Sequence, residues 1–159
     1  MATKIQEPIS IPMTVSVPYR FAAGSYLTKC LIGLRDHGTL FAVECPKCKR
    51  VQLPPRIVCA TCHVRNERWV ELGLEGTLVA FTIMYLPLTD PTTGKPHNPP
   101  FVYGTVRLDG ATSVLDHFIN VEPDLEKIRV GMRCRMILRP QAERIGDLSD
   151  ILYFDPIPG

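Results

Sequence analysis

Cys45-Pro46-Lys47-Cys48, then ten residues, then Cys59-Ala60-Thr61-Cys62 is the stretch that decides how this chain is read. Two C-x2-C knuckles at this separation have metal-ligand spacing. Each curls so that both sulfurs point at one centre, and two such pairs complete a tetrahedron. Four thiolates suit Zn2+, with iron as the other occupant of the same geometry. Two disulfides or a thioredoxin-like redox pair are the competing readings. A disulfide framework belongs to short secreted chains, and the N-terminal residues lack the basic-then-apolar layout of an export signal. A redox C-x2-C opens a helix inside a βαβ pattern, and neither knuckle does. The spacing therefore predicts a metal site.

Cys45, Cys48, Cys59 and Cys62 fill a coordination sphere, so the metal is expected to be structural, with no open position to activate water or polarise a substrate. His63 follows Cys62 directly, but with four sulfurs available it is expected to be a bystander. Lys47, Lys49, Arg50, Arg56, Arg65 and Arg68 surround the knuckles, against Glu67 alone between them and Trp69. These cations offset the charge of a four-thiolate centre, or some of them face an anionic ligand such as a phosphate.

Outward from the knuckles, Leu40 to Val43 reads as a short strand entering the first, and Val51-Gln52-Leu53 leaves it before Pro54-Pro55 turns the chain back. That is a zinc ribbon, short strands pinned by metal because they bury too little apolar surface alone. Before it, Ser25 is placed to cap a helix with Leu27, Leu31 and Leu34 on one face and Gly38 at its end, and Cys30 reads as a small core residue beside that stripe. Earlier still, Ile9, Ile11, Met13, Val15 and Val17 alternate with polar residues and prolines. Such a segment is an edge strand of the chain's own sheet or an arm gripping a partner subunit.

After Trp69 the pattern turns to β. Strands are expected over 70–72, 77–86, 101–108, 113–121, 132–139 and 151–154, with glycine breaks between them and a short helix over 123–129. Five main strands with a small helix between the third and fourth predict an OB-type Greek-key barrel. The first two are joined by 87–100, long enough to be a working surface, where Lys95 and His97 could meet an anion. The fold class is thus mainly β with a leading helix: a rubredoxin-like zinc ribbon followed by a five-stranded OB-fold barrel. Its divisions are an extended arm (1–18), helix plus ribbon (19–68) and OB domain (69–159).

The 159 residues suffice for one domain with a small metal module, and a formal charge of +2 is too small to argue by itself for a nucleic-acid binder. No apolar run approaches a membrane span, and free thiols expected at Cys30 and Cys134 suit a reducing cytoplasm.

Several features in a fixed order resemble the zinc-ribbon plus OB-fold family that accompanies thiolases and other acyl-CoA enzymes. They are Leu34-Arg35-Asp36-His37-Gly38, the run from Cys45 through Lys49-Arg50-Val51-Gln52-Leu53-Pro54-Pro55-Arg56, Cys59-x2-Cys62, Trp69-Val70-Glu71, Glu75-Gly76-Thr77, Pro99-Pro100-Phe101 and Val130-Gly131-Met132. The likeness runs from about Tyr19 to the last residue. It implies an accessory subunit, non-catalytic alone, bound to a thiolase-fold catalytic subunit in a hetero-oligomeric acyltransferase complex. The OB portion would help shape the acyl-CoA site, with the four knuckle cysteines as the family's metal ligands. No motif of the family matches coenzyme A contacts here, and Arg50, Arg56 and Lys95 are the candidates for its phosphates. The arm is an addition to the family pattern and is assigned to the partner interface. Within the family the chain looks similar to small subunits of benzoylsuccinyl-CoA-type thiolases, which serve anaerobic aromatic breakdown.

Two other functions fit ribbons and OB barrels. Single-stranded nucleic-acid binding would use Phe81, Tyr85, Phe101, Tyr103 and Phe118 as stacking platforms, but Asp109 and Asp116 stand among them. A lone acyl-CoA or lipid carrier needs a hollow that a small barrel fills with its own side chains. For an independent enzyme, Cys134 between Arg133 and Arg135 is equally a core residue of its strand, and Asp116 and His117, as strand neighbours, point to opposite faces.

Overall fold

The computed structural model describes residues 10–11, 21–89 and 95–158. The alternating arm lies outside the described residues except for Ser10 and Ile11. Helix α1 spans Gly24–His37, and it starts without the cap expected from Ser25: the N-cap is Ala23, which makes no side-chain hydrogen bond. Gly24, at φ +73°, already belongs to the helix. Its end is as the sequence indicates. Gly38 takes φ +66°, and the N–H groups of Gly38 and Thr39 donate to the carbonyls of Leu34 and Gly33 at 3.1 and 3.2 Å. Cys30, Gly33 and Leu34 are the buried residues, so Cys30 is a core residue as expected.

Strands β1 (Leu40–Glu44), β2 (Val51–Gln52) and β3 (Arg68–Leu72) form an antiparallel sheet in the order β2-β1-β3. The segment leaving Trp69 is therefore a ribbon strand, paired along all of β1 from Leu40↔Leu72 to Glu44↔Arg68. Next come β4 (Glu75–Met84), the two-residue strands β5 (Leu88–Thr89) and β6 (Pro96–His97), β7 (Phe101–Leu108), β8 (Leu115–Ile119), β9 (Arg133–Leu138) and β10 (Ile151–Pro156). β4, β7, β8, β10 and β9 close into a barrel in that order, with β10 parallel to β8 and the other pairs antiparallel. This is the OB arrangement.

Two loops differ from expectation. Within 123–129 a single turn forms over 125–127, capped by the Asp124 carboxylate, which accepts the Glu126 N–H at 2.9 Å, and it is not continued into a helix. Within 87–100, β5 and β6 make a small hairpin with Leu88 opposite His97.

The barrel is filled by Leu78, Val102, Val106, Leu108, Ile119, Cys134, Met136, Ile151 and Phe154. The same buried cluster continues through Leu72, Leu53, Ala42, Leu40, Leu34 and Cys30, so ribbon, helix and barrel share one core. Polar contacts add to that union. Gln141 Nε2 donates to the Asp36 carbonyl at 2.8 Å, from the loop between β9 and β10 to the end of α1. That loop is organised by Asp150, a fully buried carboxylate that accepts the N–H groups of Ile145, Gly146 and Asp147 at 3.0, 2.8 and 3.3 Å. No helix among the described residues is long and apolar enough to cross a membrane.

Candidate metal centre

The two knuckles are built alike, related by a shift of fourteen positions. In the first, Lys49 takes φ +62° and its N–H donates to the Cys45 carbonyl at 3.0 Å, while the Cys45 N–H donates to the Arg50 carbonyl at 2.9 Å. In the second, His63 takes φ +55° and donates to the Cys59 carbonyl at 2.9 Å, while Cys59 donates to Val64 at 3.0 Å. The role of His63 is thus the left-handed turn that Lys49 performs in its own knuckle, and it is exposed. It lies outside the group of possible ligands, which is Cys45, Cys48, Cys59 and Cys62.

These four sulfurs all lie within 4.8 Å of one another, with Cys48 and Cys59 3.8 Å apart. A tetrahedral Zn2+ with bonds of about 2.3 Å needs sulfurs separated by about 3.8 Å, so the residues fit the ion. Cys45 and Cys59 are fully buried and Cys48 and Cys62 half-buried. Backbone N–H groups of Cys62 and Thr61 bring the Cys59 thiol down to about 6, while the neighbouring Cys48 and Cys45 push Cys62 up to about 12. A cluster this tight cannot ionise fully by itself. A divalent cation supplies the missing charge, and four thiolates leave it no open position, which makes the zinc structural.

Gln52 also touches the cluster, its Nε2 donating to Cys59 Sγ at 3.3 Å. Sequence reading passed over it. The amide lies seven residues past Cys45, as Asn66 lies seven past Cys59. Asn66 is one methylene shorter and donates instead to the Arg56 carbonyl at 2.9 Å.

The surrounding cations are engaged mostly elsewhere. Lys49 and Arg68 pair with Glu44 at 3.5 and 3.1 Å, Arg65 pairs with Glu67 at 3.8 Å, and Arg50 Nη1 bridges the knuckles by donating to Thr61 Oγ1 at 2.8 Å. Glu44, just before the first knuckle, is the acid the sequence reading overlooked. Lys29 Nζ stands 4.2 Å from the centre of the Trp69 ring, which packs against Tyr26.

Of the candidate coenzyme A contacts, Arg50 and Arg56 lie on the ribbon and Lys95 on the β5–β6 hairpin, all three exposed. Arg56 lines a cleft of about 160 Å3 at the ribbon–barrel junction with Gln52, Leu53, Pro54, Ala60 and Ser113. A second cleft, about 200 Å3, opens on the barrel between the ends of β8 and β10 and is walled by His97, Phe101, Phe118 and Tyr153 among others. Neither cleft gathers Arg50, Arg56 and Lys95.

His97, which the sequence offers as one group that could meet an anion, stacks on Phe118 at 4.3 Å and stands edge-on to Phe101 at 4.5 Å. Its hairpin partner is Leu88, and the imidazole extends an aromatic face made of Phe101, Tyr103 and Phe118. Asp116 and His117 part as strand alternation requires: Asp116 Oδ1 accepts from Thr105 Oγ1, while the His117 ring turns towards Phe154. Burial lowers the His117 pKa, and burial raises that of Cys134, which keeps this fully buried cysteine a thiol despite its arginine neighbours.

Two protein-family models match the chain: the ChsH2 rubredoxin-like zinc ribbon domain over residues 34–68 and the ChsH2 C-terminal OB-fold domain over 69–139. Among solved structures, one described as an Ltp2–ChsH2 (DUF35) aldolase is similar at 22% identity and a TM-score of 0.58, over 86% of this chain and 98% of that one. A DUF35-family protein of unknown function from Sulfolobus solfataricus is similar at 19% identity and a TM-score of 0.57, over 81% of this chain and 83% of that one. Both likenesses show the fold. No curated protein matches the chain.

Proposed function

Because the chain belongs to the ChsH2 family, with that family's zinc ribbon and OB fold in succession, we propose that it is a non-catalytic, zinc-bearing subunit of a heteromeric thiolase complex. The observation that carries this reading is the unbroken run of the two family matches, residues 34–139, on a single shared core. The Ltp2–ChsH2 aldolase supports the assembly, since there a ChsH2 chain accompanies another protein in an enzyme. A zinc held by four sulfurs supports a scaffold rather than a reaction centre.

The thiolase-fold partner, the acyl-CoA substrate and thiolytic C–C cleavage rest on the motif resemblance, as does the likeness to benzoylsuccinyl-CoA-type thiolases of aromatic breakdown. In this reading Arg50, Arg56 and Lys95 meet coenzyme A phosphates at the interface, with Arg56 best placed because it borders a cleft. The N-terminal arm, residues 1–18, serves the partner interface, and the complex works in the cytoplasm.

The aromatic face on β7 and β8 is where other OB folds hold oligonucleotides. Here its rings pack on one another, Phe101 is only 7% exposed, and the Asp116 carboxylate stands on the same face. Like-charge repulsion from Asp116 disfavours a phosphate backbone there. The test is native purification of the tagged chain from its own host, followed by acyl-CoA thiolysis assays of whatever accompanies it. A stoichiometric thiolase-fold subunit that loses activity without this chain is expected. Co-purifying nucleic acid, or a lone chain that changes no thiolase activity, overturns the proposal.

A further inference from the structure

We infer that Gln52 is a positioning residue for the metal centre and that the barrel loop between β7 and β8 sets its geometry, so that the ribbon's hold on its metal depends on the barrel. The local geometry is a clamp. On one side of Gln52, the Val51 carbonyl accepts two hydrogen bonds from Thr112, from its N–H at 2.9 Å and its Oγ1 at 2.8 Å. On the other side, the Leu53 N–H donates to Ser113 Oγ at 2.7 Å. Both neighbours of Gln52 are therefore held by one barrel loop. Gln52 also pairs with Val43 of β1. Held at three points, its backbone has no freedom to swing, and the side chain delivers Nε2 to Cys59 Sγ.

Two of the four sulfurs accept a nitrogen donor: Cys59 from the Gln52 amide at 3.3 Å and Cys45 from the Cys48 backbone N–H at 3.5 Å. Each donor withdraws charge from the thiolate and fixes the direction of its lone pairs, so it tunes the metal–sulfur bond and the ease of ligand exchange. The pseudo-equivalent Asn66 shows that the reach is specific. Its shorter side chain stops at a backbone carbonyl and touches no sulfur. The carboxamide oxygen of Gln52 is buried without a hydrogen-bond partner within the protein, and Gln52 lines the junction cleft with Ser113 of the barrel loop.

The test uses the full chain loaded with Zn2+ and, separately, with Co2+. Metal release to a chromogenic chelator gives a rate, and the sulfur-to-cobalt charge-transfer band gives a spectroscopic signature that a merely structural role would leave in place. Q52L should speed zinc release about 10- to 100-fold and shift the cobalt band. Q52N, too short to reach, should behave the same way. T112V and S113A should each speed release about fivefold through the loss of one hydrogen bond. Combined with Q52L they should add nothing further, since they act through the same amide. A wild-type release rate and cobalt band in Q52L overturn the role of Gln52, and loop effects that add in full to Q52L overturn the coupling. Should Q52L weaken the fold at large, T112V/S113A with Gln52 intact decides, because an unchanged band and rate there also overturn it.

Discussion

Replacing Asp150 by alanine removes the acceptor of three backbone N–H groups at a site with no exposed surface. A hydrogen bond to a charged group contributes about 1.5–3 kcal/mol net, and a donor left buried without a partner costs its desolvation as well. Counting only the contacts at 2.8 and 3.0 Å, and taking the lower value for each, the loss is about 3 kcal/mol. With a urea dependence of about 2 kcal/mol per molar, the midpoint should fall by about 1.5 M. Asparagine keeps one oxygen but turns an NH2 towards the N–H donors, so D150N should lose at least half as much.

The assay is equilibrium urea unfolding of the zinc-loaded chain, read by Trp69 fluorescence on the ribbon strand and by far-ultraviolet circular dichroism. Because the Asp150 loop is joined to the end of α1 through Gln141, and ribbon and barrel share a core, both signals should shift together. A loss below about 0.5 kcal/mol would refute the hydrogen-bond reasoning. A shift in the dichroism that spared the Trp69 signal would refute the mechanical union of the two halves.

Replacing Cys48 by serine should abolish stoichiometric zinc by elemental analysis and unfold the ribbon, losing the partner complex with it; full metal content and partner activity in that variant would contradict a structural metal. Two glycines should rank by what a Cβ would strike. At Gly76 it would lie 2.5 Å from the Arg107 carbonyl oxygen, a backbone atom, whereas at Gly104 it would lie 2.7 Å from side-chain carbons of Ile119 and Leu78. G104A should cost about 1–3 kcal/mol in thermal or urea unfolding and G76A more, and the reverse order would be inconsistent with this packing. His117 gives a pH dependence. Burial lowers its pKa below the ordinary 6.5, so the unfolded chain binds the proton first. Its contribution is complete above about pH 6.5 and fades as pH falls through the folded value, with a slope of at most about 1.4 kcal/mol per unit. H117F should flatten that stretch of the stability profile, and an unchanged profile would show that other groups set it.

The metal site was legible because its signal is local: four cysteines at fixed spacing need no knowledge of the rest of the chain. The strand 101–108 and the glycine at the end of α1 were legible for a similar reason, since alternation and a left-handed turn are written into adjacent residues. Long-range pairing was not. Residues 70–72 look like any strand, and only the register with Leu40–Glu44 assigns them to the ribbon sheet. Residues 123–129 carry a start signal in Asp124, but a cap marks where a helix can begin and not whether it continues, and here only one turn forms. Gln52 and Asp150 gave no warning, because a polar residue becomes important only when the fold removes its water and surrounds it with partners. The seven-residue offset from each first cysteine is the one clue that could have singled out Gln52, and it has meaning only once the knuckles are seen to repeat.

Closing the ring gives every barrel strand a neighbour on each side, although β8 and β10 meet through the single pair Phe154↔Ile119. Among the described residues, the three-stranded sheet is different: β2 and β3 are its margins, and β2 is only two residues long. Within that sheet the longer open edge is β3, from Arg68 to Leu72. Its two exposed side chains are Arg68 and Glu71, charges that an incoming apolar strand would have to desolvate. Neutralising both should turn a well-behaved protein into an aggregating one without disturbing its core, its barrel or its four sulfurs.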